Sequence, residues 1–293
     1  MRSFRPARAH LSGALVLAAV LAGCASTSST MGPRLSAVRI TQVVASPDRS
    51  NADRETDLRR KPEQMLAFIG VRPGMQALDI STGGGYTSEL LARAIGPSGV
   101  VYAQAHPRVP GEAAPRPEQA EGAAGPPPQL EAPTTPAARP RTSEDAIAER
   151  VHHLQEAGIL AAPIVYVNRP YEDPVPPERA DAQLDLVTLI FNYHDMGWQQ
   201  VDRTRMNAAV FRALKPGGLY VIADHAGRPG TGISESGTLH RVEESLVVAE
   251  VQAAGFRLQE EGMFLRNPAD PRNRNTPNPP QPKDEFVLKF VKP

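Results

Sequence analysis

The chain has 293 residues, of which 41% are hydrophobic, so it is long enough and apolar enough to bury a core in one large domain or two small ones. Its formal net charge is zero, which argues against a basic nucleic-acid-binding surface and against an acidic tail, so no nucleic acid partner is expected. The single cysteine excludes an internal disulfide.

The amino-terminal segment has the pattern of an export signal. Arg2, Arg5 and Arg8 precede the apolar run "LSGALVLAAVLAG", which is shorter than a membrane-spanning helix. The run ends in "LAGC", which resembles the lipobox of bacterial lipoproteins, and this resemblance implies that Cys24 becomes lipidated and starts the mature chain. We therefore expect a lipoprotein signal peptide at 1–24, a tether at 25–45 and a folded domain at 46–293, exported and held at the periplasmic face of a bacterial membrane.

Strand and helix patterns alternate after the tether. A helix is predicted from Pro62 to Ile69, because proline suits a first helical turn and Gly70 suits the end. The segment 75–104 then predicts a strand "MQALDI", a helix "TSELLARAI" and a strand "GVVYAQ". Such a βαβ unit is right-handed and implies a parallel sheet.

A segment at about 107–141 interrupts this alternation and is rich in Pro, Ala and Gly, which predicts a disordered insert. The remaining patterns predict helices at 142–158, 201–214 and 238–255, and strands at 162–170, 184–196, 214–227, 256–266 and 285–291. The last two strands have no helix between them and can pair antiparallel. The order predicts a doubly wound α/β fold with a mostly parallel seven-stranded sheet and an antiparallel terminal strand.

The turn "STGGGY" after the first predicted strand is the strongest functional feature. Ligands of doubly wound sheets lie beside this turn, where glycines allow positive φ and close approach, and where the next helix offers free N–H groups. A dinucleotide fingerprint would place a third glycine where Ser88 stands, which disfavours a nicotinamide-dependent oxidoreductase. A tight turn without a ligand is the remaining alternative.

The segments "LDISTGGGY" and "LKPGGLYVIAD", in this order of elements, resemble the class I S-adenosylmethionine-dependent methyltransferases. More narrowly, "FNYHDM", "ADHAGRPGTG", "LHRVEE" and "DEFVLKFVKP" are similar to a group of predicted bacterial methyltransferases with export signals. The resemblance covers about 46–293 apart from the insert. It implies a Rossmann-like methyltransferase fold, the cofactor S-adenosyl-L-methionine, and methyl transfer to a small-molecule acceptor.

The resemblance also implies which residues line the cofactor. Ser81 replaces the first glycine of the usual turn, and a serine is tolerated there if its φ is negative. Gln104 replaces the acid that usually binds the ribose, and its amide can still donate to and accept from a hydroxyl. Glu172 and Asp173 either contact the adenine end or lie in a solvated loop. The residues expected at the cofactor are Asp79, Ser81, Gly83, Gly84, Gly85, Tyr86, Gln104 and Asn192.

Two acid and histidine pairs follow the fourth and fifth predicted strands: His194 with Asp195, and Asp224 with His225. Histidine titrates near neutral pH and suits a general base that a carboxylate orients, so all four are expected to be catalytic, although one pair can instead be structural. A magnesium site using Asn192 and Asp224 lacks a full set of oxygen ligands, so no metal is expected.

Further along, His240 and Glu244 are expected on one face of a helix, and the loop 267–283 is expected to cover the site. The cytosolic origin of S-adenosylmethionine raises an alternative for an exported chain. In this alternative the protein is a non-catalytic ligand-binding lipoprotein that retains the fold. Ser81 and Gln104 favour the alternative, and the two acid and histidine pairs disfavour it.

Overall fold

The computed structural model describes residues 1, 32–107, 141–275 and 282–293. The predicted signal peptide with Cys24, the tether up to residue 31, and the predicted insert from 108 to 140 lie outside the described residues. In the part of the chain that is described, no helix is long and apolar enough to cross a membrane.

Seven strands in the described ranges form one sheet with the order β3-β2-β1-β4-β5-β7-β6. The strands are β1 (Gln76–Ile80), β2 (Val100–Ala105), β3 (Ile164–Asn168), β4 (Leu184–Ile190), β5 (Leu214–His225), β6 (Arg257–Gly262) and β7 (Glu285–Val291). The first five pair in parallel, whereas β7 runs antiparallel to both β5 and β6. The predicted doubly wound, mostly parallel seven-stranded sheet is confirmed.

The centre of the sheet is the place where the chain reverses its direction of winding. Strand β1 lies between β2 and β4, and the register puts Asp79 beside Ala103 on one side and Thr188 on the other. In doubly wound sheets ligands bind at such a switch point, outside the carboxyl ends of the strands. The glycine turn that follows β1 therefore has the expected position.

Helices cover both faces of the sheet. The helices of the described residues are α1 (Ala37–Val44), α2 (Asn51–Arg60), α3 (Pro62–Ile69), α4 (Tyr86–Ile95), α5 (Ser143–Glu156), α6 (Asp195–Trp198), α7 (Arg203–Ala213), α8 (Ser236–Leu239) and α9 (Glu244–Ala253). Alternate strand residues point to opposite faces, so Ala77 packs in the core layer with α1, α3 and α4, whereas Leu78 packs in the layer with α7 and α9.

The folded domain begins earlier than predicted, because α1 lies within the expected tether. The Ser36 hydroxyl caps α1 by accepting a hydrogen bond from the Arg39 N–H at 3.2 Å. Ile40 and Val43, three residues apart on one helical face, are buried in the same core layer as α3 and α4. The boundary at residue 45 was therefore placed too late.

Two predicted elements are shorter than expected. Strand β4 ends at Ile190, and Phe191 turns the chain with a φ of +61°, so 191–196 is not strand. The predicted helix 238–255 is interrupted at His240, whose φ is +52°, and α9 starts only at Glu244. His240 and Glu244 do not share a helical face, and that prediction was wrong.

Candidate active site at the carboxyl edge of the sheet

The glycine turn leaves a surface without side chains at the end of β1. Gly83 and Gly84 are exposed, and a Cβ built on Gly84 would meet no atom within 4 Å. A Cβ on Gly83 would meet only the Ser81 carbonyl oxygen, at 4.0 Å. A cavity of about 790 Å³ opens beside both glycines. Its volume lies in the range of small-molecule sites.

Helix α5 backs the other side of the turn. A Cβ on Gly85, where φ is +78°, would lie 2.7 Å from Ile147 Cδ1 and 2.8 Å from Arg150 Cδ. Arg150 donates from Nε to the Gly84 carbonyl oxygen at 2.5 Å and pairs with Asp53 at 2.8 Å. Gly85 is therefore required for helix packing, and the structure does not present it to a ligand as the sequence suggested.

The two polar residues expected to bind the cofactor at the ends of β1 and β2 are turned into the protein. Asp79 accepts hydrogen bonds from the Ser88 and Thr188 hydroxyls at 2.6 and 2.7 Å. Gln104 is fully buried, accepts from the Ser81 N–H at 2.9 Å and donates to the Arg169 carbonyl oxygen at 2.6 Å. Both side chains support the turn from inside, which corrects the expectation of direct ligand contact.

Asp79 and Ser81 are both held in states that are unfavourable for an isolated residue. Burial raises the pKa of Asp79 to about 6, although hydrogen bonds from Ser88 and Thr188 oppose the rise. Ser81 has a φ of +59°, in the left-handed region that favours glycine, so the condition under which serine would be tolerated at this position, a negative φ, is not met. The Ser81 hydroxyl lies 3.2 Å from the Tyr171 hydroxyl, at the loop after β3.

Helix α2 brings arginines to this edge that the sequence did not single out. The guanidinium of Arg60 lies 5.1 Å from the ring centroid of Tyr86 and 5.0 Å from that of Phe191. Its Nε is buried and has no hydrogen-bond partner in the described part of the chain. The Tyr86 hydroxyl donates to Asp57 at 2.6 Å, so Tyr86 fastens α2 to the turn.

The two acid and histidine pairs meet where β4 and β5 end. His194 Nδ1 lies 2.6 Å from Asp224 Oδ1, and the His194 N–H donates to Asp224 Oδ2 at 2.8 Å. The His225 N–H donates to Asp224 Oδ1 at 2.7 Å. His194 Nε2 lies 3.2 Å from Asp195 Oδ1. Because Asp224 is fully buried and both its oxygens bind protein groups, it is not arranged as a magnesium ligand.

The environment separates the protonation states of the two histidines. Burial alone would lower the pKa of His194, but the carboxylates of Asp224 and Asp195 overcome this and raise it to about 10. The pKa of His225 is held well below its usual range by burial, against the attraction of Asp224. At neutral pH His194 is thus protonated and a poor base, whereas His225 is neutral. The expected assignment of the base to His194 needs correction.

Glu285, the first residue of β7, adds an acid that the sequence did not suggest. Burial raises its pKa to about 7, although Arg59, which donates to it at 2.8 Å, opposes the rise. His225 Nδ1 lies 3.0 Å from Glu285 Oε1 without hydrogen-bonding geometry. Arg59 also lies over the Phe191 ring, 4.5 Å from its centroid. These residues surround His225 from three separate elements.

Other expected residues lie at the margin of this cluster. Asn192 is partly exposed and donates from Nδ2 to the Ile190 carbonyl oxygen at 3.1 Å. Asp173 is paired with Arg169 in the loop after β3, and Glu172 is partly exposed. The structure therefore does not bring the loop acids into the cluster at β4 and β5.

The described part of the expected lid is fastened to the domain. Strands β5 and β6 run in the same direction, so the loop after β6 emerges at the carboxyl edge as predicted. Asp270 in this loop forms a fully buried ion pair with Arg241 at 2.9 Å, and accepts from the Asp284 N–H at 2.6 Å. Up to residue 275, this loop is held by buried charge pairing.

Comparisons with known proteins concern the fold. No protein-family model matches the chain, and no curated protein matches it. An S-adenosylmethionine-dependent methyltransferase from Aquifex aeolicus is 16% identical over 88% of this chain and 99% of its own, with a TM-score of 0.48. A TehB-like methyltransferase from Corynebacterium glutamicum is 16% identical over 83% and 96%, with a TM-score of 0.44. The cyclase SpnF is 15% identical over 83% and 81%, with a TM-score of 0.48. Such likenesses carry no argument about activity, which depends on the site.

Proposed function

We propose that this protein binds S-adenosylmethionine and transfers its methyl group to a small-molecule acceptor. The observation that carries the proposal is the open glycine turn at the switch point of the sheet, where Gly83 and Gly84 expose backbone beside a cavity. The cofactor would supply a methyl group already activated on a sulfonium. The protein then has to align the reactants and, where the acceptor is acidic, receive a proton.

Arg60 is the residue best placed to hold an anionic part of the ligand. Buried polar groups nearly always have a hydrogen-bond partner, and Arg60 Nε has none in the described part of the chain. A carboxylate is a natural partner for such a guanidinium. We therefore propose that Arg60, which lies against Tyr86 just after the glycine turn, binds the carboxylate of the cofactor's amino-acid portion. A ribose ligand of the usual kind does not appear at the end of β2, because the amide of Gln104 points inward.

His225 is the candidate for receiving the proton. Its imidazole is neutral, stacks on Phe191 with ring centroids 5.4 Å apart, and lies at the end of β5, the strand beside β4 at the carboxyl edge of the sheet. His194 and Asp224 lie beside it, and His194 is paired with both Asp224 and Asp195. None of these three groups is therefore free to receive the proton.

Calorimetry with S-adenosylhomocysteine tests the proposal. We expect saturable heat with the purified protein and at least about tenfold weaker binding in Arg60→Met, a change of about 1.4 kcal/mol. The unfolding midpoint in urea is the control and should change little, because methionine keeps an apolar side chain beside Tyr86 and Phe191 and Arg60 Nε gives up no hydrogen bond. Absence of heat at millimolar ligand would refute the proposal.

The alternative function is a ligand-binding lipoprotein that keeps this fold without catalysis. The inward-facing amide of Gln104 favours it, since the ribose then lacks its usual partner. This alternative predicts no heat with S-adenosylhomocysteine.

We also propose, from "LAGC" alone, that the mature chain is attached through Cys24 to the periplasmic face of a bacterial membrane. Incorporation of labelled palmitate in the wild type but not in Cys24→Ser is the expected result. Equal labelling of both would contradict the attachment.

A further inference from the structure

A third imidazole, that of His240, joins the acid and histidine cluster. The ring of His240 lies 5.5 Å from that of His194, and its Nδ1 lies 3.8 Å from Asp195 Oδ1. His194 Nε2 lies 3.2 Å from the same oxygen. One ligand atom from each of His194, Asp195 and His240 therefore lies within 4.8 Å of the other two.

We propose that His194, Asp195 and His240 bind a divalent transition-metal ion such as Zn²⁺, leaving one coordination position open. Two imidazoles and a carboxylate are a donor set that such ions prefer, and three protein ligands with one open position are typical of catalytic rather than structural zinc sites. Tetrahedral bonds of about 2.0–2.2 Å place ligand atoms about 3.2–3.6 Å apart. The His194 to Asp195 distance of 3.2 Å already matches, and the 3.8 Å from His240 Nδ1 to Asp195 Oδ1 has to shorten by a few tenths of an ångström.

The neighbours of these ligands have the arrangement that metal sites use. A metal-binding histidine usually donates a hydrogen bond from its second ring nitrogen to a carboxylate, which fixes the ring and its tautomer. Asp224 is positioned to accept such a hydrogen bond from His194 Nδ1, and it also accepts from the backbone N–H groups of His194 and His225. Trp198 Nε1 donates to Asp195 Oδ1 at 3.0 Å and orients that carboxylate. Two of the three ligands therefore have an orienting partner.

The backbone at His240 places the third ligand. His240 has a φ of +52°, which is uncommon for a residue other than glycine and needs support from its surroundings. The next residue, Arg241, supplies that support, because its fully buried guanidinium binds Asp270 and the Ala226 carbonyl oxygen. The strained turn directs the imidazole toward Asp195 rather than along α9.

Access to the cluster suits an open coordination position. The side chain of His194 is 4% exposed, whereas those of Asp195 and His240 are 24% and 26% exposed. The site is thus closed on the His194 side and reachable from the other. A water or a substrate heteroatom can occupy the fourth position there.

The experiment measures metal binding by the purified full chain. After treatment with a chelator and equilibration with Zn²⁺, elemental analysis should find one zinc ion per chain. His240→Ala and Asp195→Asn should each lower the zinc affinity at least about 100-fold, whereas His153→Ala, which removes a histidine on α5, should not. With Co²⁺ as the probe, the visible absorption of a low-coordinate site should appear in wild type and disappear in His240→Ala.

Circular dichroism shows whether each variant is folded, so that a loss of zinc is attributed to the ligand. Absence of zinc from the wild type, or equal zinc in wild type, His240→Ala and Asp195→Asn, would overturn the proposal. The cluster would then be an ion pair in which protonated His194 bridges two carboxylates. The inference does not rest on methyl transfer, because zinc binding and heat with S-adenosylhomocysteine are separate measurements that can fail separately.

Discussion

Two adjacent glycines of the turn offer a matched pair of substitutions with opposite outcomes. Gly84 has ordinary backbone geometry and open space where a side chain would begin. Gly85 has a φ of +78° and faces Ile147 and Arg150 at less than 3 Å. A side chain at 84 should therefore obstruct a ligand without disturbing the fold, whereas one at 85 should disturb the fold.

The magnitudes follow from these surroundings. For Gly85→Ala, the left-handed conformation costs about 1–2 kcal/mol. Packing against α5 costs about 1–3 kcal/mol more. The free energy of unfolding should thus fall by about 2–5 kcal/mol. For Gly84→Ala it should stay within about 1 kcal/mol of wild type, because the lower entropy of the unfolded chain opposes any small cost.

Urea denaturation and calorimetry together test this reasoning. Gly84→Val, which adds more bulk, should retain the wild-type unfolding midpoint and lose most of the heat with S-adenosylhomocysteine. Unchanged ligand affinity in Gly84→Val would show that no ligand approaches the exposed turn. Equal stability of Gly84→Ala and Gly85→Ala would show that α5 does not pack against the turn as described.

Three further predictions concern stability. The pKa of buried Asp79 is raised to about 6, so between about pH 4 and pH 6 the folded chain keeps a proton that the unfolded chain loses. The free energy of unfolding should therefore fall by about 3 kcal/mol as the pH rises through this range. Urea titrations of Asp79→Asn should lack this contribution. Asp270→Ala leaves Arg241 buried without its carboxylate and should cost about 3–5 kcal/mol in the same assay; a cost below 1 kcal/mol would contradict the buried pairing. Ile40→Ala should cost about 2–4 kcal/mol and exposed Val38→Ala almost nothing, whereas equal small effects would place α1 outside the core.

The order of elements could be predicted from the sequence because it depends on local patterns. The apolar runs of β1, β4 and β7, the helical spacing of α4, and the glycines at turns all act over a few residues. Together with the rule for right-handed crossovers, they determine a doubly wound sheet. The meeting of His194 with Asp224 was predictable for the same reason, since neighbouring parallel strands end at one edge.

The remaining features depended on which distant segments pack together. The sequence pattern of β2 does not predict that the Gln104 side chain points inward and holds the turn. Nothing local joins Arg60 of α2, Glu285 of β7 and His240 after α8 to this edge, because each arrives through the packing of its own element. The short helix α1 also forms because the core covers Ile40 and Val43. Local propensity thus determined the elements and their order, whereas burial and long-range charge pairing, which exist only in the folded chain, decided the composition of the site.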